Sequence, residues 1–325
     1  MPPLNLAQIR VIDPILTTVA HGFTNPLPGV ANFIAPRVPV LTRAGKVMVF
    51  GKESFAITNT KRAPATNIKR LMPNFGTENY SVEQDALGAE IPYEFLEEAA
   101  ATAVLNGIPM NLQQMALNAA MSSLDLNWEN EVLSLVTRAE QFEPILTSVP
   151  STKINTPDFD LLKLILAAKE AVRSQSAVYP NSMVVGPKVF SAMQQITAVR
   201  ETIKYQQRWA ATVADLSTYF GLSRGIRVAE GVKLDEAGNL IDIMGNDILL
   251  FYAPEQPVGL MNKGVPSFAY TYALEGYPVV TPFRADPDRR VIVADAIREQ
   301  SVQITGIGTT GKAAAGYLFK DVLTA

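Results

Sequence analysis

Asn181-Ser182-Met183-Val184-Val185-Gly186-Pro187-Lys188-Val189-Phe190 places a short uncharged run directly before a glycine-proline pair. Ser182 to Val185 has the apolar, partly β-branched character of a strand buried on both faces. Gly186-Pro187 then turns the chain, and the fixed φ of proline opens a helix over Pro187 to Gln194. Ile196 to Lys204 (ITAVRETIK) follows, then a helix over Val213 to Phe220 stopped by Gly221, then a strand at Ile226-Arg227-Val228. Helix and strand alternate, which gives this region an α/β character.

Working upstream, Thr156-Pro157-Asp158 supplies an N-cap, a first-turn proline and an early acid, which predicts a helix running to about Arg173. A polar linker, Ser148 to Asn155, precedes it, so a second domain begins near this point. Before the linker, Leu117, Met121, Leu124, Trp128, Val132 and Leu135 recur at steps of three and four. That spacing predicts an amphipathic helix from Asn111 to Ala139, about 40 Å long. Downstream, β-rich segments dominate at Asp247 to Tyr252, Phe268 to Leu274, Val279 to Arg284 and Arg290 to Ala296, with Asp286-Pro287-Asp288 as a turn.

The first 80 residues read differently. Up to about residue 40 the chain holds Pro2, Pro3, Pro14, Pro26, Pro28, Pro36 and Pro39 among residues too apolar for a solvated tail. An extended arm lying on other surfaces fits both traits. Leu41 to Tyr80 carries seven basic residues (Arg43, Lys46, Lys52, Lys61, Arg62, Lys69, Arg70) against Glu53 and Glu78, with β-like runs at Val47 to Phe50 and Ser54 to Ile57. A long, twisted β-hairpin is expected. From Ser81 to Ala100 the sign reverses, with Glu83, Asp85, Glu90, Glu94, Glu97 and Glu98 and no basic residue. The two blocks either pair between neighbouring copies or form two solvated faces.

Composition narrows the functional classes. Of 325 residues, 48% are hydrophobic and only 18% charged, and the mean hydropathy is +0.12. No apolar run reaches the roughly 18 to 20 residues of a membrane helix, and Met1-Pro2-Pro3 opens no secretory signal. Burial between subunits accounts for the excess. With no cysteine, disulfides and thiolate chemistry are excluded. A net charge of −3 argues against a dedicated DNA reader.

Several motifs invite chemistry. Gly306-Ile307-Gly308-Thr309-Thr310-Gly311-Lys312-Ala313 has phosphate-loop spacing after a strand-like Ser301 to Thr305, but Ala313 stands where the magnesium-binding hydroxyl belongs. Glycines that let a C-terminal segment turn explain it more simply. His21 is the sole histidine, so a histidine metal cluster is excluded and a catalytic triad would rest on this one residue in the proline-rich arm, where an ordinary packing or surface histidine beside Gly22 is the simpler reading. Glu97 and Glu98 diverge by about 100° on a helix, and Asp286-Pro287-Asp288 is turn chemistry. The basic hairpin lacks an aromatic stacking series for nucleic acid. No catalytic, cofactor or metal residue is assigned.

In order, the elements are an apolar arm, a charged hairpin, an acidic stretch, a long helix, an α/β region and a return to strands. That order resembles the tailed-bacteriophage major capsid protein with the Hong Kong 97-type fold. Asn181 to Phe190, ITAVRETIK and Val213 to Gly221 look like the axial-domain segment of lambda-like coat proteins, and Val279 to Ile304 is similar to the closing strands. The resemblance implies an α+β fold: N-terminal arm (1–40), extended loop (41–80), peripheral domain with spine helix (81–150), axial domain (151–262) and a return to peripheral strands and C-terminus (263–325). It implies a shell of hexamers and pentamers around double-stranded DNA in a virion head, assembled in the bacterial cytoplasm with portal and decoration proteins. Relatives often begin with a scaffolding segment, and this chain starts with the arm, so a separate scaffolding protein or a processed form is expected. Arg43, Lys46, Lys52, Lys61, Arg62, Lys69 and Arg70 would meet acidic neighbours such as Glu94, Glu97 or Glu98. An encapsulin-like compartment shell is the structural alternative, and a nucleotide-binding enzyme using Gly306 to Lys312 is the alternative of another class.

Overall fold

Side-chain capping bonds set the starts of three of the helices. The computed structural model describes residues 29–49, 57, 61, 76–106, 111–156, 159–204, 211–255, 267–286, 288–305 and 312–323. The first half contains α1 (Ala31–Ile34), β1 (Arg37–Val40), β2 (Ala44–Val49), β3 (Gly76–Ser81), β4 (Glu83–Pro92), α2 (Tyr93–Asn106), α3 (Leu112–Val136), β5 (Thr147–Ser148) and α4 (Leu161–Ser176). After these come β6 (Ser182–Val185), α5 (Pro187–Met193), α6 (Thr197–Lys204), α7 (Val213–Tyr219), β7 (Gly225–Val228), β8 (Val232–Leu234) and β9 (Leu240–Asp242). The chain continues through β10 (Ile248–Phe251), β11 (Ala269–Leu274), β12 (Val279–Val280), β13 (Arg284–Asp286), β14 (Val291–Ile304) and β15 (Gly316–Phe319).

Asn111 starts the long helix α3 by accepting the Gln114 amide at 3.1 Å. The predicted face is buried at Leu117, Met121, Leu124, Trp128 and Val132. Helix α4 differs from expectation at its start. The cap is Asp160, whose carboxylate accepts the Lys163 amide at 2.9 Å, and Thr156 lies four residues outside it. An acid that bonds the third amide outcompetes an upstream threonine for that role. Helix α7 opens on a reciprocal Thr212/Asp215 capping box and ends before Gly221, whose φ of 61° closes it.

Two sheets organise these parts. In the five-stranded sheet, order β5-β15-β10-β6-β7, all four residues of β6 are buried, as the reading of Ser182 to Val185 required. A cluster of Ile165, Met183, Val189, Leu216, Ile226 and Ile248 seals this sheet beneath α4, α5 and α7. The six-stranded sheet is built on β14, which pairs with β4, β11, β12 and β13. Helix α3 crosses it, with Leu117, Met121 and Leu124 on Val280, Ala294 and Ala296. A further core joins both sheets through Trp128, Val132, Leu133 and Val136 of α3 with Val184, Leu249, Phe251, Phe268 and Leu318.

Several strands differ from the sequence reading. The segments expected at Arg290 to Ala296 and Ser301 to Thr305 are one continuous strand, while Val279 to Arg284 splits into β12 and the start of β13. Strand β4 was not expected: its acids and alanines have low strand propensity, and ten register pairs along β14 override that. Within the 263–325 span, Gly316–Phe319 leaves the strands around it and joins the five-stranded sheet.

Candidate assembly surfaces

Residues 29–40 lie against their own chain. Glu129 of α3, almost fully buried, accepts the backbone amides of Val30 and Ala31 at 2.8 Å each. These amides open the single turn of α1, so the carboxylate meets the donors that a helix start leaves free. Burial pushes the Glu129 carboxyl above its ordinary value, and the two amide bonds pull it back in part. On the other side Arg224 donates to the Phe33 carbonyl at 2.5 Å and sits over the Phe33 ring at 4.3 Å. Beyond α1, β1 runs parallel to β11 and buries Val38 and Val40, while Arg37 stacks on the Trp128 ring at 3.9 Å. Residues 1–28, including His21, lie outside the described residues.

Strands β2 and β3 pair over six residues and form the root of the expected hairpin. Arg43 locks that root to β14 with a two-pronged bond to Glu299, Nε to Oε2 at 2.7 Å and Nη2 to Oε1 at 2.9 Å. Glu299 is only 2% exposed, and the carboxylate raises the Arg43 guanidinium further above its ordinary value. Tyr80 stacks on Tyr272 at 5.0 Å and shares a 2.9 Å hydroxyl bond with Thr42. A methyl group on Gly45 would stand 2.8 Å from the Tyr80 ring, so this glycine permits the close approach.

The other charged residues named from the sequence are distributed as follows. Lys46 lies on β2 and is exposed, as is Lys61. Lys52, Arg62, Lys69 and Arg70 lie outside the described residues. Glu94, Glu97 and Glu98 are exposed on α2, and Glu94 stands 3.7 Å from Arg290. None of the three touches Arg43, whose partner is Glu299 of the same chain. Glu299 and Glu129 escaped sequence reading because they are acids far along the chain, 256 and 99 residues from what they hold. A signal for Glu129 existed: it falls on the buried side of the predicted helix, next to Trp128.

The glycine motif lies partly outside the described residues, but its flanks are clear. The strand before it is the end of β14, and after Lys312 the chain makes a bridge at Ala313 and enters β15. A phosphate loop needs a helix N-terminus at that point. Asp286 ends β13 and Asp288 follows in an exposed turn. Among the described residues no cluster of three or more histidine, cysteine or acidic side chains is arranged to hold a metal ion. No described helix is long and apolar enough to cross a membrane.

No protein-family model matches the chain. It is 30% identical over 283 residues to the major capsid protein of Burkholderia phage BcepMu, covering 85% of this chain and 87% of that protein. The crystal structure of a phage-related protein from Bordetella bronchiseptica RB50 superposes with a TM-score of 0.76 at 27% identity, over 96% of this chain and 98% of the other. The capsid structure of cyanophage P-SCSP1u shares the fold with a TM-score of 0.53 at 10% identity, over 88% and 85% of the two chains.

Proposed function

Because the chain belongs to the bacteriophage major capsid proteins and forms the icosahedral shell of the virion head, we propose that it does so as hexamers and pentamers closed around double-stranded DNA. We further propose that it acts through repeated contacts and not through catalytic turnover. The observation that carries this reading is the relationship to a major capsid protein along most of the chain. It is supported by a hairpin whose root is bolted to the central strand by Arg43 and Glu299. A rigid root suits an element that must reach a neighbour.

In this reading Lys46, Lys52, Lys61, Arg62, Lys69 and Arg70 contribute inter-subunit contacts with acidic surfaces, among which Glu94, Glu97 and Glu98 are exposed and accessible. Arg43 positions the loop from inside its own subunit. A scaffolding protein guides assembly in the host cytoplasm, a portal occupies one vertex, and decoration proteins sit outside. The encapsulin alternative shares the fold, and the sequence relationship to a phage capsid protein favours the genome container. Expression with and without the neighbouring phage genes, followed by negative-stain electron microscopy, tests the assignment. Shells or capsomers are expected; a monodisperse monomer under every assembly condition counts against it.

A further inference from the structure

The β8–β9 ribbon exposes more apolar surface than a solvated hairpin should. Leu234 and Leu240 face each other directly in its register and are 67% and 70% exposed, with Val232 and Ile241 also open to solvent. A two-residue patch is unremarkable, but four apolar residues on a ribbon of six strand positions is a concentration that soluble surfaces avoid. The ribbon is nonetheless fixed in place. Asp235 accepts the amides of Ala237 and Asn239 at 2.9 and 2.8 Å, which sets the turn. Lys233 donates to Asn130 of α3 at 3.1 Å, and Asp242 lies 3.9 Å from Lys188.

Charge narrows what would cover it. From Glu230 to Asp242 the chain holds Glu230, Asp235, Glu236 and Asp242 against the single base Lys233. An apolar ribbon with an acidic border fits an apolar segment with basic borders. The same chain carries one: from Lys46 to Arg70 there are six bases, with Phe50, Phe55 and Ile57 among them and Glu53 as the only acid. Ile57 is fully exposed within its own subunit. We propose that the β8–β9 ribbon is the docking surface for the basic stretch at residues 46–70 of a second copy of this chain. This deepens the shell reading and rests on it. A contact of this size is smaller than a stable pairwise interface, so it acts only when repeated around a capsomer.

The test uses the full-length protein under conditions where the unaltered chain forms shells. The double variant L234D/L240D should keep its circular dichroism and melting temperature while shell yield falls at least about tenfold, with L234A/L240A intermediate. A photoreactive residue at position 240 should cross-link to residues 46–70 of another chain. Normal shell yield from L234D/L240D, or cross-links confined to other segments, overturns the inference and leaves the shell assignment standing. Absence of shells from the unaltered chain overturns the assignment itself.

Discussion

Glu129 shows how one side chain controls a segment nearly a hundred positions away. Its carboxylate is the acceptor for two buried amides, so Glu129→Ala should cost about 2 to 4 kcal/mol, read from chemical denaturation. Glu129→Gln keeps one acceptor oxygen but turns an NH2 donor toward the second amide, so it should recover only part of that loss while removing the titrating charge. The pH dependence has a definite sign. Burial raises this carboxyl in the folded chain, so between its raised value and the ordinary one the folded state holds a proton that the unfolded state has released. The parent's stability relative to Glu129→Gln should therefore rise as pH falls through that window and level off below it; a difference that stays flat across the acidic range contradicts the burial argument. Gly186 presents a simpler case. A methyl group there would overlap the Gly245 carbonyl oxygen, which is backbone and has no rotamer to escape through. Gly186→Ala should cost about 3 to 5 kcal/mol and lower the yield of folded protein.

The arm and the hairpin differ in how much of each is bound to its own subunit. The sequence suggested an arm to residue 40 that rests on other surfaces, yet Val30, Ala31, Ile34, Ala35, Val38 and Val40 are core residues here. Removing residues 1–28 should leave the melting transition in place and lower shell yield, whereas removing 1–40 should destabilise the fold itself. Equal melting temperatures for the two truncations would show that β1 and α1 contribute nothing. Elements with strong local grammar were legible: β6 from its uncharged run, α5 from Pro187, α7 from its cap and Gly221, α3 from its period. Strand β4 and the ribbon β8–β9 were not. The acids, alanines and glycine of β4 become a strand because β14, far along the chain, supplies hydrogen bonds, whereas β8 and β9 are three residues each and too short to show an alternation. The same distance hid the Arg43–Glu299 lock from any local reading.

At the scale of the whole molecule, the low charge and positive mean hydropathy noted at the outset have a physical outlet in assembly. If basic loops meet acidic surfaces of neighbours, those contacts weaken as ions screen them, with a Debye length of about 10 Å at 0.1 M salt falling to about 3 Å at 1 M. Shell formation should then slow or fail as sodium chloride is raised towards 1 M, followed by light scattering, while the fold of the isolated subunit persists. Assembly that is indifferent to salt would assign the interfaces to apolar contacts alone. Strand β14 adds a mechanical property. It runs fourteen residues, roughly 45 Å at 3.3 Å per residue, and ten of them are zipped to β4 while β11, β12 and β13 grip its other side. Tension applied along that axis loads these bonds in shear, all together, whereas a pull across the strands would break them one after another. A wall whose stretching direction follows β14 resists internal pressure with its strongest grain.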